Sequence, residues 1–135
     1  LNMLNLLIQN NEKIKLEPFE IENDEISYTY KTVKYIKNKY NPSELAMVIG
    51  ADNLTTLNKW KNIEYIYSNC NIVCFNRDNN LINKKNNKIK FINSFNVQIS
   101  SSQIKSSIKQ KNINKIKNSL PSELIDYIIR NNLYN

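Results

Sequence analysis

Two apolar runs without alternation do most to limit what this chain can fold into. Leu45-Ala46-Met47-Val48-Ile49 is uninterrupted, and the only glycine, Gly50, ends it. A strand with one wet face alternates apolar and polar residues, because successive side chains point to opposite sides. A run that does not alternate predicts a strand covered on both faces, as in a parallel sheet. Asn71 to Phe75 reads as a second buried strand, and Ile89 to Ile92 as a short third. Helical spacing fills the intervals. Val33, Ile36 and Tyr40 predict a helix over Thr29 to Tyr40, stopped by Asn41-Pro42. Asn53 to Leu57 and Asn62 to Tyr67 read as short helices, and Asn79 to Lys88 as a loop. Strands alternating with helices make an α/β fold with a mainly parallel sheet and flanking helices.

The ends of the chain read differently. Leu1, Leu4, Leu7 and Ile8 mark one face of a helix over Leu1 to Asn10. Ile14, Leu16, Phe19 and Ile21 alternate loosely and predict a strand over Ile14 to Ile21, before the polar break Asn23-Asp24-Glu25. Ile113, Ile116 and Leu120 extend a helical region. Pro121 then begins a last helix with Leu124, Ile125, Ile128 and Ile129 on one face. The chain opens at Leu1, inside a helical pattern and without an initiator Met. The expectation is a chain joined midway.

At 135 residues the chain fits one domain, 1–135, with no repeat or linker. Its net charge of +7 favours polyanionic partners, which leaves nucleic acid, nucleotides and an acidic membrane surface open. Asn83-Lys84-Lys85-Asn86-Asn87-Lys88 is read as a solvated loop, with a nucleic-acid patch as the alternative. With a single Gly and three Pro, Asn is left to supply many turn conformations. Cys70 and Cys74 have no His and no further Cys to complete a zinc site. They read as reduced thiols on or beside a buried strand, which fits the cytoplasm. No apolar stretch approaches the roughly 20 residues that span a bilayer, and no signal peptide is visible.

Four local features could carry chemistry, and each has a plainer reading. Ser100-Ser101-Ser102 opens a helix and is either a simple N-cap or, with Lys105 one turn on, a phosphate cradle. Ile49-Gly50-Ala51-Asp52 closes a strand, where open α/β sheets bind ligands. Asp52 is either a ribose acceptor there or a helix cap. Trp60 in Asn58-Lys59-Trp60-Lys61 either stacks on a flat heteroaromatic ring or belongs to the core or its rim. Ser27-Tyr28-Thr29-Tyr30-Lys31-Thr32 starts a helix. Ser27 or Thr29 caps it, or its first N–H groups bind a carboxylate.

Taken in this order, the chain resembles bacterial nicotinate-nucleotide adenylyltransferases of the nucleotidyltransferase superfamily. Ser27-Tyr28-Thr29 with Thr32 matches the family's Ser-Tyr-Thr segment, and Gly50, Asp52 and Leu54 match its Gly-x-Asp-x-Leu. Trp60 and Arg77 follow at the expected places. Ile99 to Lys105 matches Ile-Ser-(Ser/Ala)-(Thr/Ser)-x-Ile-Arg, with Lys105 standing for Arg. Leu120-Pro121, Tyr127-Ile128 and Leu133-Tyr134 match the family's ending.

That resemblance implies a Rossmann-like sheet and transfer of AMP from ATP to nicotinate mononucleotide, normally with Mg2+. The products are nicotinate adenine dinucleotide and pyrophosphate. It implies that Trp60 stacks on the pyridine ring and that N–H groups near Thr29-Tyr30 and at Lys61 hold the nicotinate carboxylate. Gly50 and Asp52 line the nucleotide and ribose site. Ile99, Ser100, Ser101 and Ser102 contact adenine and phosphates, while Lys105 and Arg77 stabilise phosphate charge. Partners are the two nucleotides, with no nucleic acid and no membrane, and a homodimer is compatible.

The family's N-terminal Gly-Gly-(Ser/Thr)-Phe-(Asp/Asn)-Pro-x-His-x-Gly-His run has no counterpart, and the chain has no His. The first strand and helix of the fold are therefore expected to be missing, residues 1–135 to form the C-terminal part of one domain, and this chain alone not to catalyse transfer. The rival readings are a sister enzyme acting on nicotinamide mononucleotide or phosphopantetheine, and a basic RNA-binding module.

Overall fold

The computed structural model describes residues 1–75, 87–92 and 100–134. Helices α1 (Asn2–Ile8), α2 (Phe19–Glu22) and α3 (Thr29–Tyr40) precede strand β1 (Ala46–Gly50). Two 3₁₀ turns, Ala51–Thr55 and Leu57–Lys59, lead to α4 (Ile63–Asn69), β2 (Asn71–Phe75) and β3 (Ile89–Ile92). Helix α5 (Ser101–Lys109), a 3₁₀ turn Ile113–Lys115 and α6 (Ser122–Arg130) complete the described elements. They fall into two compact units, Pro18–Val97 and the pair of segments Leu1–Glu17 with Gln98–Asn135.

The unit Pro18–Val97 is built on a parallel sheet in the order β1-β2-β3. Val48 aligns with Val73, and Cys74 aligns with both Ile49 and Phe91. Every second residue of β2 points the same way, so Ile72 and Cys74 enter one core with Ile49 and Cys70. Val33 of α3, Leu57 of the second turn and Ile66 of α4 close that core. Ile66 and Cys74 are fully buried, and burying a side chain like Ile66 contributes about 1.5–3 kcal/mol. Lys37 ties the end of α3 to the end of α4 by donating to Asn69 Oδ1 at 2.9 Å. Helix α3 ends on Asn41 in the left-handed region (φ 41°), its N–H donating to the Lys37 carbonyl. Asn takes the place here that Gly usually fills, because its short polar side chain tolerates that conformation.

Two expectations fail here. Ile14 to Ile21 is not a strand. Pro18 starts the short helix α2 instead, and the Phe19 ring stacks on Tyr35 with centroids 4.0 Å apart. Phe19 thus finds cover on a helix, and loose alternation does not make a strand without a ladder to join. β1 is also not covered on both faces, since Val48 is 63% exposed. Within the described sheet β1 pairs with β2 alone. An unbroken apolar run records the absence of polar side chains, not the presence of a second covering layer.

The other unit is helical. Ile108, Ile116, Leu124, Ile125 and Ile128 form its core, with Met3, Ile104, Ile113, Leu120 and Leu133 packed against it. Asn2 Nδ2 donates to Tyr127 Oη at 3.2 Å, joining α1 to α6. Ile129 leaves the predicted face of α6 and is exposed. Leu124, Ile125 and Ile128 already fill the arc that meets the core, and Ile129 lies about 40° beyond its edge. The predicted stripe of α1 also faces outward at Leu1, Leu4 and Leu7, while Met3 supplies the packing.

Candidate functional site

The start of α3 is an uncapped helix end. Its N-cap is Tyr28, with no side-chain hydrogen bond to the first turn. Ser27 and Thr29 therefore do not cap it; Ser27 Oγ donates to the Glu20 carbonyl at 3.2 Å instead. Lys31 N–H donates to the Tyr28 carbonyl at 2.8 Å, whereas the N–H groups of Thr29 and Tyr30 meet no acceptor among the described residues. Such free donors, backed by the helix dipole, favour an anion in front of them.

What lies in front is a depression of about 280 Å3 lined by Ser27, Tyr28, Thr29, Lys59, Trp60 and Lys61. Trp60 follows the turn Leu57–Lys59 and donates its N–H to the Leu57 carbonyl at 3.1 Å. It is half-buried and packed against the sheet-unit core, so the indole is fixed on one side and borders the depression on the other. Lys61 Nζ stands 4.3 Å from the Tyr28 ring centroid. Tyr30 stacks beside Tyr28 at 6.2 Å and packs on the core. Among the described residues the lining includes two lysines and no carboxylate.

A neighbouring hollow of about 170 Å3 includes Glu25, Lys31 and Thr32. There Lys31 Nζ pairs with Glu25, and Thr32 Oγ1 donates to Glu20 Oε1. The Lys31 hydrogen bond holds the Glu25 carboxyl below its ordinary range, and the same bond raises Lys31. Thr29, Trp60 and Lys61 are thus brought together as expected, with Tyr30 behind Tyr28. Sequence reasoning missed Tyr28 and Lys59 as lining residues. The signal for Tyr28 was its place directly before the first helical residue.

Gly50 and Asp52 sit at the carboxyl end of β1. Gly50 has φ −81° and ψ 158°, which any residue adopts. A Cβ there would meet Asp52 Oδ1, the end of a flexible side chain that would have to move aside. Asp52 is exposed in the turn Ala51–Thr55. It does not act as a side-chain cap, and its carbonyl accepts from Thr55 Oγ1 at 3.1 Å. Burial pushes the Cys74 thiol up, and the Asp52 carboxylate adds to that; burial does the same for Cys70. Both are free, buried thiols.

Ser100, Ser101, Ser102 and Lys105 belong to the helical unit. Ser100 is the N-cap of α5, and its Oγ accepts from Gln103 N–H at 3.2 Å. Gln103 Oε1 accepts from Ser100 N–H at 3.2 Å, completing a capping box. The plainer reading of Ser100 therefore holds. Ser101 and Ser102 are exposed. Lys105 Nζ stands 5.3 Å from the Tyr134 ring centroid. Arg77 and Ile99 lie outside the described residues, as does most of the expected loop Asn79 to Lys88. Among the described residues no group of three or more His, Cys, Asp or Glu could hold a metal ion, and no helix is long and apolar enough to cross a membrane.

Residues 1–107 match the model of the cytidylyltransferase-like family. A probable nicotinate-nucleotide adenylyltransferase of Clostridium perfringens is 35% identical over 127 residues, spanning 86% of this chain and 62% of the relative. One from Flavobacterium johnsoniae is 37% identical over 139 residues, spanning 99% of this chain and 70% of the relative. The chain thus spans about three-fifths to seven-tenths of these relatives' length. The solved Plasmodium falciparum nicotinic acid mononucleotide adenylyltransferase complexed with APC superposes with a TM-score of 0.76 at 28% identity, covering 98% of this chain and 73% of that one.

Proposed function

The chain belongs to the cytidylyltransferase-like family, and within it to the nicotinate-nucleotide adenylyltransferases, and from that premise we propose that it serves adenylyl transfer from ATP to nicotinate mononucleotide. In that reaction a phosphate oxygen of the mononucleotide attacks the α-phosphorus of ATP. The bond to the bridging oxygen breaks, and pyrophosphate leaves. Two anions must be aligned and their charge held, so positioning and electrostatics carry most of the work.

One observation carries the reading: the depression that joins Trp60, the free N–H groups at the start of α3 and two lysines, with no carboxylate among the described residues of its lining. In this reading Trp60 stacks on the pyridine ring. The N–H groups of Thr29, Tyr30 and Lys61 receive the ring carboxylate. Fixed donors prefer an acid to an amide, whose NH2 sets donor against donor. Gly50 and Asp52 serve the nucleotide and its ribose, and Ser101, Ser102 and Lys105 the ATP phosphates, with Arg77, Ile99 and Ser100 beside them. The described residues offer no metal cage, so Mg2+ is read as arriving with its nucleotide, as MgATP. The two units are read as parts of one nucleotidyltransferase domain. A cytoplasmic location is supported by the two buried free thiols, and a homodimer is compatible. The RNA-binding reading is disfavoured because Tyr28, Tyr30 and Tyr35 are half-buried and do not form an open stacking platform.

The chain has one tryptophan, so its emission reports on Trp60 alone. Nicotinate mononucleotide is expected to quench that emission saturably, nicotinamide mononucleotide more weakly, and phosphopantetheine not at all. Absence of saturable quenching by nicotinate mononucleotide would sink the reading.

A further inference from the structure

We propose that the Lys61 side chain, parked on the face of Tyr28, is the charge that selects an acidic pyridine ring over its amide, a specificity role for the ammonium beyond any contact of the Lys61 backbone. The inference rests on the nicotinate reading of the depression.

The argument begins with which cations are already satisfied. Lys31 borders the adjoining hollow, but Glu25 neutralises it. Lys61 has no carboxylate partner among the described residues; its ammonium rests 4.3 Å from the centroid of a neutral ring. A ring quadrupole holds a cation without cancelling its charge. The ammonium therefore stays attractive to an anion entering the depression.

Its position follows from the same contact. Tyr28 is the N-cap of α3 and directly precedes Thr29, whose N–H is free. Holding Nζ against the Tyr28 ring keeps the charge on the wall where those donors open. Tyr28 is itself steadied by Tyr30, which packs into the core. Lys61 is an exposed side chain on a turn; without that ring its ammonium would have no fixed place, and much of its charge would be spent on water. Lys59 lines the same depression but has no ring contact or ion pair among the described residues. It supplies a less localised charge and makes a natural control.

The consequence is selective. A ring carboxylate gains from Lys61 and an uncharged carboxamide does not, while stacking on Trp60 serves both. The test measures Trp60 quenching by nicotinate and nicotinamide mononucleotide in the 135-residue chain, at low and high salt. Lys61→Gln is expected to weaken binding of the acid about fivefold, as for a partly exposed charge pair, and to leave the amide unchanged. Lys61→Arg restores the preference, and Lys59→Gln narrows it less than Lys61→Gln does. Tyr28→Leu narrows the preference in the same direction as Lys61→Gln. Added salt weakens the acid more in the unmodified chain than in Lys61→Gln. Equal weakening of both ligands by Lys61→Gln would reduce the residue to a structural part and overturn the inference. So would loss of the preference in Lys59→Gln alone. If the unmodified chain binds neither ligand, the nicotinate reading itself fails and takes this inference with it.

Discussion

Gly50 shows how much one atom can matter at the end of a strand. Its backbone angles suit any residue, so replacement by alanine costs little in backbone conformation. The new Cβ would instead drive the Asp52 carboxylate from its place. Gly50→Ala is expected to leave the melting temperature nearly unchanged and to weaken nucleotide binding about tenfold, the scale of one charged hydrogen bond. Calorimetric titration with ATP, beside a thermal melt, separates the two effects. A lowered melting temperature with intact ATP binding would show that the glycine serves the fold. The sequence could name Gly50 and Asp52 as a pair, because a lone glycine ending an apolar run is conspicuous. It could not reveal that the two are in contact. That depends on a side-chain direction set by the turn Ala51–Thr55.

At the scale of elements, legibility followed the density of the apolar pattern. Thr29–Tyr40, Asn71–Phe75 and Ile89–Ile92 were readable to the residue, since each joins a dense apolar pattern to a polar or turn-forming edge. Ile14 to Ile21 was misread because its apolar spacing wavered and Pro18 begins a helical turn. Ile129 was misplaced because four apolar residues within six positions span more arc than one core can cover. The depression was legible in its parts, Thr29, Trp60 and Lys61, and Tyr28 was marked by its place before the first helical residue, but the meeting of the two segments depends on contacts between residues far apart in sequence.

The capping box at α5 shows the reverse case, in which a suspected site residue also has a measurable structural task. Ser100 Oγ and the Gln103 side chain satisfy two donors that the helix cannot satisfy itself. Ser100→Ala is expected to destabilise the helical unit by about 1 kcal/mol, read by urea unfolding of the chain. Ser101→Ala and Ser102→Ala, whose side chains make no such bond, should leave unfolding unchanged. If all three variants unfold alike, the box is not holding the helix.

Across the whole molecule, the candidate groups are divided between two compact units. Thr29, Tyr30, Trp60, Lys61, Gly50 and Asp52 belong to Pro18–Val97, and Ser100 to Lys105 to the segments Leu1–Glu17 and Gln98–Asn135. A ligand stabilises whatever folded region it contacts, by about 2.7 kcal/mol at a hundredfold excess over Kd. Local opening is then suppressed where the contacts lie. The proposed assignment therefore predicts two footprints in amide hydrogen exchange. Nicotinate mononucleotide should slow exchange at 27–31 and 59–62 while leaving 100–109 unchanged. ATP should slow exchange at 50–53 and at 100–105. The first footprint depends on donors that have no acceptor within the described chain, so those amides should show the largest change. The second depends on a carboxylate at one strand end and on the exposed first turn of α5. Protection of 100–105 by nicotinate mononucleotide, with none at 59–62, would reverse the assignment of the two nucleotides to these groups.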